Sequence, residues 1–134
     1  MDMLVVDDDE GVREVTADIL RVCGGHEVTL ACSGLEARAF LEHGAMFEMI
    51  ISDVDMGPLS EEGGIELLKW IRANCPTTRT PFILMSGKQF APDGTPLATV
   101  ASRFGGPTAF LQKPSSVEQL LDLVNSLSNP TAAV

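Results

Sequence analysis

The chain has no tyrosine, a single tryptophan, and three cysteines among 134 residues. Cys23, Cys32 and Cys75 are odd in number and show no CxxC spacing, which excludes a self-contained disulfide framework and argues against a structural zinc site. Reduced thiols of a cytoplasmic protein are expected instead. Basic residues are scarce, nine against nineteen acidic ones, and the net charge is −10. Nucleic-acid binding without sequence preference needs cations to displace counterions, so no nucleic-acid partner is expected. No apolar run approaches the roughly 20 residues that span a bilayer, so no membrane association is expected either. The acidic start leads directly into a strand pattern, which argues against a secretory signal. Internal repeats, low-complexity stretches and a second domain are also lacking.

A 45% hydrophobic content excludes a disordered chain, and the length suits one domain with its own core. Five short apolar runs, 3–7, 27–31, 48–52, 81–85 and 108–112, show no clean alternation, as expected of parallel strands covered on both faces. Helical patterns lie between them. Val12, Val15, Ile19 and Val22 mark one face of a first helix. Ser33 and Glu36 form a capping-box pattern ahead of Ala37, Phe40 and Leu41. Ile65, Leu68 and Ile71 mark a third helix, on which Trp70 is expected to pack. Thr95-Pro96 supplies an N-cap and a first-position proline for a fourth, and Ser115 with Glu118 a capping box for a fifth. Alternation of this kind implies an α/β domain, a (βα)5 doubly wound parallel sheet with right-handed crossovers. Strand order 2-1-3-4-5 is common for such sheets, with the working site beyond the carboxyl ends of the strands. The domain is expected to cover residues 1–127, with 128–134 a short tail.

Those strand ends carry the chemistry. Asp7-Asp8-Asp9 closes the first run, Asp53 the third, Ser86 the fourth and Lys113 the fifth. Crowded carboxylates repel one another, and a hard, oxygen-seeking cation such as Mg2+ relieves this. Asp53 could then serve as a nucleophile toward phosphorus, with Lys113 and the Ser86 hydroxyl meeting the phosphoryl oxygens. Taken singly, the acidic run could also be a solvated helix start and Phe110 a constant core residue.

The segments Leu4-Val5-Val6-Asp7-Asp8-Asp9-Glu10, Ile51-Ser52-Asp53-Val54-Asp55-Met56, Leu84-Met85-Ser86-Gly87 and Phe110-Leu111-Gln112-Lys113-Pro114 together resemble the receiver domain of two-component response regulators, of the chemotaxis-regulator type. The resemblance covers residues 2–127 and implies a flavodoxin-like fold. It implies that Asp53 accepts a phosphoryl group from a histidine kinase or a histidine phosphotransfer protein. It further implies Mg2+ held by Asp8, Asp53 and the backbone carbonyl of Asp55, with Asp7 acting through water. Ser86 and Phe110 match the switch positions, Lys113 the phosphate-pairing lysine, and Lys113-Pro114 a cis peptide bond. Output is expected through a face made by the fourth helix, fifth strand and fifth helix, in a monomer or weak homodimer. Beyond its own phosphorylation and dephosphorylation no enzyme activity is expected, and a chain of this length is expected to signal by protein contact.

Two segments depart from the family pattern. The stretch Gly57 to Gly64, with Glu61 and Glu62, is longer than usual, as is the link from Ser86 to Phe110, where Pro92-Asp93-Gly94 reads as a turn. Asp55 and Lys88, each two residues beyond a motif residue, are expected to pair at the rim and tune the phosphoryl lifetime. Two other readings stay open: a pseudo-receiver that binds without phosphorylation, and a haloacid-dehalogenase-type phosphatase, suggested by Asp53-x-Asp55.

Overall fold

A computed structural model describes residues 1–54, 63–75, 79–104 and 107–128. Its strands are β1 (Asp2–Val6), β2 (Glu27–Ala31), β3 (Met49–Asp53), β4 (Phe82–Ser86) and β5 (Thr108–Gln112). They form one parallel sheet in the order β2-β1-β3-β4-β5. Between and after them run α1 (Glu10–Asp18), α2 (Gly34–Glu42), α3 (Gly64–Asn74), α4 (Leu97–Ser102) and α5 (Val117–Ser128). Each strand sits within a residue of its predicted place. Short apolar runs bounded by polar residues leave little freedom in register when both faces are buried.

The two faces sort by the two-residue period of a strand. Leu4, Val6, Ile50, Phe82 and Leu84 point to one side and pack with Ala37 of α2, Leu67, Leu68 and Ile71 of α3, and Leu97 and Ala101 of α4. Met3, Val5, Met49, Ile51, Ile83 and Met85 point to the other and meet Leu20, beyond α1, and Leu120 and Val124 of α5. The three inner strands are almost completely buried, while β2 and β5 form the edges. Trp70 packs beside the first cluster, and the Arg38 guanidinium lies 4.7 Å from its ring centroid.

Three local expectations are corrected. The first helix does not bury the Val12–Val22 stripe: Val15 is 59% exposed and Val22 83%, and the buried residues are Thr16, Ala17 and Leu20. Small side chains let this helix approach the sheet. A π-helical turn over Ile19–Cys23 then changes the phase of the face, which a 3.6-residue period cannot track. Thr95 does not cap α4. Pro96 occupies the cap position without a side-chain bond, and the Leu97 amide donates instead to the Gln89 carbonyl at 2.8 Å. The capping box of α5 lies one residue later than predicted, on Ser116 and Gln119. Ser116 Oγ accepts from the Gln119 amide at 3.0 Å and Gln119 Oε1 accepts from the Ser116 amide at 2.9 Å. At α2, Ser33 Oγ accepts from the Glu36 amide as predicted, but Glu36 reaches the Cys32 amide, one residue before the cap.

Candidate phosphoryl-acceptor site

The site forms where β1, β3, β4 and β5 end. The Asp7 amide donates to the Ala31 carbonyl at 3.1 Å, extending the β1–β2 ladder by one residue. The chain then turns. Asp7 Oδ1 accepts from the Asp9 amide at 2.9 Å, and Asp9 Oδ1 accepts from the Val12 amide at 3.1 Å as the N-cap of α1. The third acidic residue is therefore a helix cap, and the first two are left for the site. Arg13 Nη1 donates to the Asp7 carbonyl at 2.8 Å and pins this turn from the first helical coil.

Asp53 is the last residue of β3 and lies opposite Met85 of β4 in the register. Immediately after it, the Val54 amide donates to the Met85 carbonyl at 2.8 Å. Asp53 is 7% exposed and Asp7 4%, whereas Asp8 is exposed. One carboxylate oxygen from each of Asp7, Asp8 and Asp53 lies within 4.8 Å of the others. An all-oxygen donor set of this charge fits a hard divalent cation such as magnesium, which takes a few carboxylates and fills its remaining positions with water or phosphate.

Lys113 follows β5 directly, and its amide donates to the Ser86 carbonyl at 2.8 Å, continuing the β4–β5 ladder. Its ammonium lies 3.0 Å from Asp53 Oδ1 and 3.5 Å from Asp7 Oδ2. Burial pulls the Lys113 pKa down, but hydrogen bonding and charge from Asp53, reinforced by Asp7, outweigh it and hold the pKa above the ordinary lysine value. The Lys113-Pro114 peptide bond is cis. Ser86 closes β4, is fully buried, and its Oγ accepts from the Lys88 amide at 3.0 Å. Phe110 pairs in register with Leu84, is half-buried, and packs beside the α2–α4 core cluster.

Asp7, Asp8, Asp53 and Lys113 are thus brought together, Ser86 lies on the neighbouring strand end, and Phe110 lies two residues back along β5. Asp55, with its proposed carbonyl ligand and its pairing with Lys88, lies outside the described residues, as do Glu61 and Glu62. The sequence reading passed over two positioning residues. Arg13 could have been found from its place four residues after the Asp9 cap, one turn along and facing the β1 end. Gly64 could have been found as half of a Gly-Gly pair at a helix start. A Cβ there would collide with the Asp53 carbonyl oxygen and approach Ser52 Oγ to 3.0 Å, so only glycine lets α3 begin against the end of β3.

A surface cleft of about 610 Å3 along α2, lined by Glu36, Ala39, Phe40 and His43, holds none of the site carboxylates. The family model of the response regulator receiver domain matches residues 3–125. The chain belongs to that family. Among curated relatives, it is 34% identical to the response regulator protein FleR of Pseudomonas aeruginosa over 91% of this chain and 23% of that protein. It is 38% identical to a response regulator receiver protein of Anaeromyxobacter over 90% of this chain and 45% of that protein. The chain spans half or less of the length of the curated relatives it matches. Among solved structures, the Vibrio cholerae chemotaxis protein CheY4 superposes with a TM-score of 0.77 at 29% identity, covering 94% of this chain and 97% of that one. The Francisella response regulator 1452 receiver domain does so with a TM-score of 0.77 at 28% identity, covering 97% and 98%. The family places this receiver within two-component signalling. Among the described residues, no helix is long and apolar enough to cross a membrane.

Proposed function

We propose that this receiver is a phosphoacceptor switch. A histidine kinase or a histidine phosphotransfer protein supplies the phosphoryl group, and Asp53 is the residue that takes it. One Asp53 carboxylate oxygen attacks phosphorus, the phosphorus–nitrogen bond of a donor phosphohistidine breaks, and an acyl phosphate remains. The observation that carries this reading is the Lys113 ammonium between the buried Asp53 and Asp7 carboxylates, at 3.0 and 3.5 Å, beside the three-carboxylate cluster. A cation beside buried carboxylates supports this reading, with Lys113 to meet phosphoryl oxygens and Asp53 as nucleophile. Magnesium, held by Asp8 and Asp53 with Asp7 acting through water and Asp55 adding its carbonyl, would supply charge neutralisation on the phosphoryl oxygens. Ser86 donates its hydroxyl to another of those oxygens. The protein has no enzymatic role beyond its own phosphorylation and dephosphorylation. It works in the cytoplasm, and its output is contact with a protein target through α4, β5 and α5.

The test is the intact mass of the chain after incubation with acetyl phosphate and magnesium, beside Asp53→Asn. One added phosphoryl group on the wild type, absent from the variant and without magnesium, is the expected result. If no adduct forms and beryllofluoride with magnesium leaves no bound fluorine resonance, the pseudo-receiver reading replaces this one.

A further inference from the structure

At the amino ends of β4 and β5, the pole of the sheet opposite the carboxylate cluster, two arginines gather without an acidic partner. Arg72 stands in the last turn of α3, and its Nη2 donates to Thr108 Oγ1 at 3.1 Å. Thr108 opens β5 and is the register partner of Phe82, the first residue of β4. Arg79 lies in the segment that leads into Phe82. From Thr108 to Gln112 the strand rises about 13 Å, so this pole is clear of Asp53 and Lys113.

Arg72 is half-buried, and its Nε and Nη1 are buried yet donate to no protein acceptor among the described residues. A guanidinium offers five N–H donors in a planar fork, and donors left buried and idle are costly. No carboxylate compensates. Arg21, Arg38, Lys69 and Lys113 each pair with an acidic side chain, whereas neither Arg72 nor Arg79 does so among the described residues. Burial, and after it the positive charge of Arg79, hold the Arg72 pKa below the ordinary arginine value. The carbonyl end of α3 offers roughly half a negative charge, against two positive charges gathered there. In a chain of net charge −10, two neighbouring arginines without a carboxylate are the reverse of what composition alone would supply.

We propose that Arg72, Arg79 and the Thr108 hydroxyl form a binding site for a doubly charged phosphate, free or as a phosphomonoester. Turning the outer bonds of the half-buried Arg72 side chain brings Nε and Nη1 to the surface, where their fork meets two phosphate oxygens side by side. The exposed Arg79 neutralises the second negative charge. The Thr108 hydroxyl, which accepts from Arg72 Nη2, keeps its own proton to donate to a third oxygen. A carboxylate carries one charge and two oxygens, so it would leave one arginine unpaired. The site shares no residue with the Asp53 cluster and does not depend on Asp53 as phosphoacceptor.

Proton–nitrogen NMR of the full chain, in chelator and at constant ionic strength, tests this with inorganic phosphate, O-phosphoserine and acetate as probes. Phosphate or phosphoserine is expected to shift the Arg72 Nε–H and the Thr108 amide until saturation, and the tighter of the two identifies the source. Arg79→Ala, an exposed substitution, is expected to weaken binding about tenfold, the loss of one charge-assisted contact. Arg72→Lys, which keeps the charge and removes the fork, should weaken it at least as much. No saturable shift at Arg72 and Thr108 with either phosphate probe overturns the site, as does an equal response to acetate or undiminished binding in Arg79→Ala. Shifts centred on Lys113 instead would assign the phosphate to the carboxylate cluster and overturn the proposal too.

Discussion

Neutralising Asp53, the proposed acceptor, should make the metal-free protein more stable. Asp53 faces two other carboxylates with oxygens within 4.8 Å, and at an effective dielectric near 20 each such pair repels by about 3.5 kcal/mol. Against this stands the ion pair from Lys113 to Asp53 at 3.0 Å, worth about 5.5 kcal/mol on the same scale. Solvent at the exposed Asp8 weakens one of the repulsions, while the near-complete burial of Asp53 adds a desolvation cost to the charged form. The balance favours the neutral, isosteric Asp53→Asn by about 1 kcal/mol, which for a domain of this length is a rise in Tm of about 4 °C. Magnesium should reverse the order. At a hundredfold excess over its dissociation constant it stabilises the wild type by about 2.7 kcal/mol, and Asp53→Asn, short of one carboxylate, should gain much less. Thermal unfolding of both proteins in chelator and in millimolar magnesium measures this directly. A lower Tm for Asp53→Asn in chelator would mean that the Lys113 pair outweighs the crowding, and the reasoning fails. Equal gains from magnesium would mean that the cation sits elsewhere.

Lys113→Met leaves the buried Asp7 and Asp53 carboxylates without their cation and should cost about 1–3 kcal/mol in urea unfolding, besides preventing the phosphoryl adduct. Because the Lys113 pKa is raised on folding, its contribution is complete below the ordinary lysine range and is lost only as pH rises through the folded value, so the two proteins should converge in stability on the alkaline side. A difference that disappears on acidification instead would contradict the assignment. Ser116→Ala should cost about 1 kcal/mol through loss of the α5 cap, whereas Ser115→Ala should be nearly neutral; the reverse ranking in urea unfolding would restore the capping position read from sequence.

The sheet was legible because its signals are redundant. Each strand is a short apolar run between polar residues, burial on two faces removes ambiguity of register, and handed crossovers leave few topologies open. The charged strand ends were legible for the same reason: a carboxylate or lysine that closes a buried strand has to emerge where the strand does. The helix surfaces were harder. Val12, Val15, Ile19 and Val22 keep a helical period, yet the sheet is met by Thr16, Ala17 and Leu20, because close approach rewards small side chains and a π-helical turn shifts the phase. Capping boxes at Ser115-Glu118 and Ser116-Gln119 are equally plausible as strings, and only the path of the chain out of β5 decides between them.

The least legible parts are those in which one element meets another outside the strand ladders. Arg13 holds the Asp7 carbonyl, Gly64 makes room for the Asp53 carbonyl, and Gln89 meets Gln112 across 23 positions of sequence. Gly64 and Gln89 have neither charge nor nucleophilicity to draw attention in a sequence, and the charged Arg13 acts on a backbone carbonyl. Their importance comes from distances that exist only after the strands have paired. The same asymmetry bears on how the site and its readout can diverge. Asp53, the carboxylate cluster and Lys113 are fixed by strand ends that the sheet holds, so their placement tolerates little change. The connection from β4 to α4 hangs on surface side chains and a turn outside the sheet, where a change of length or of one glutamine leaves the carboxylates and Lys113 in place.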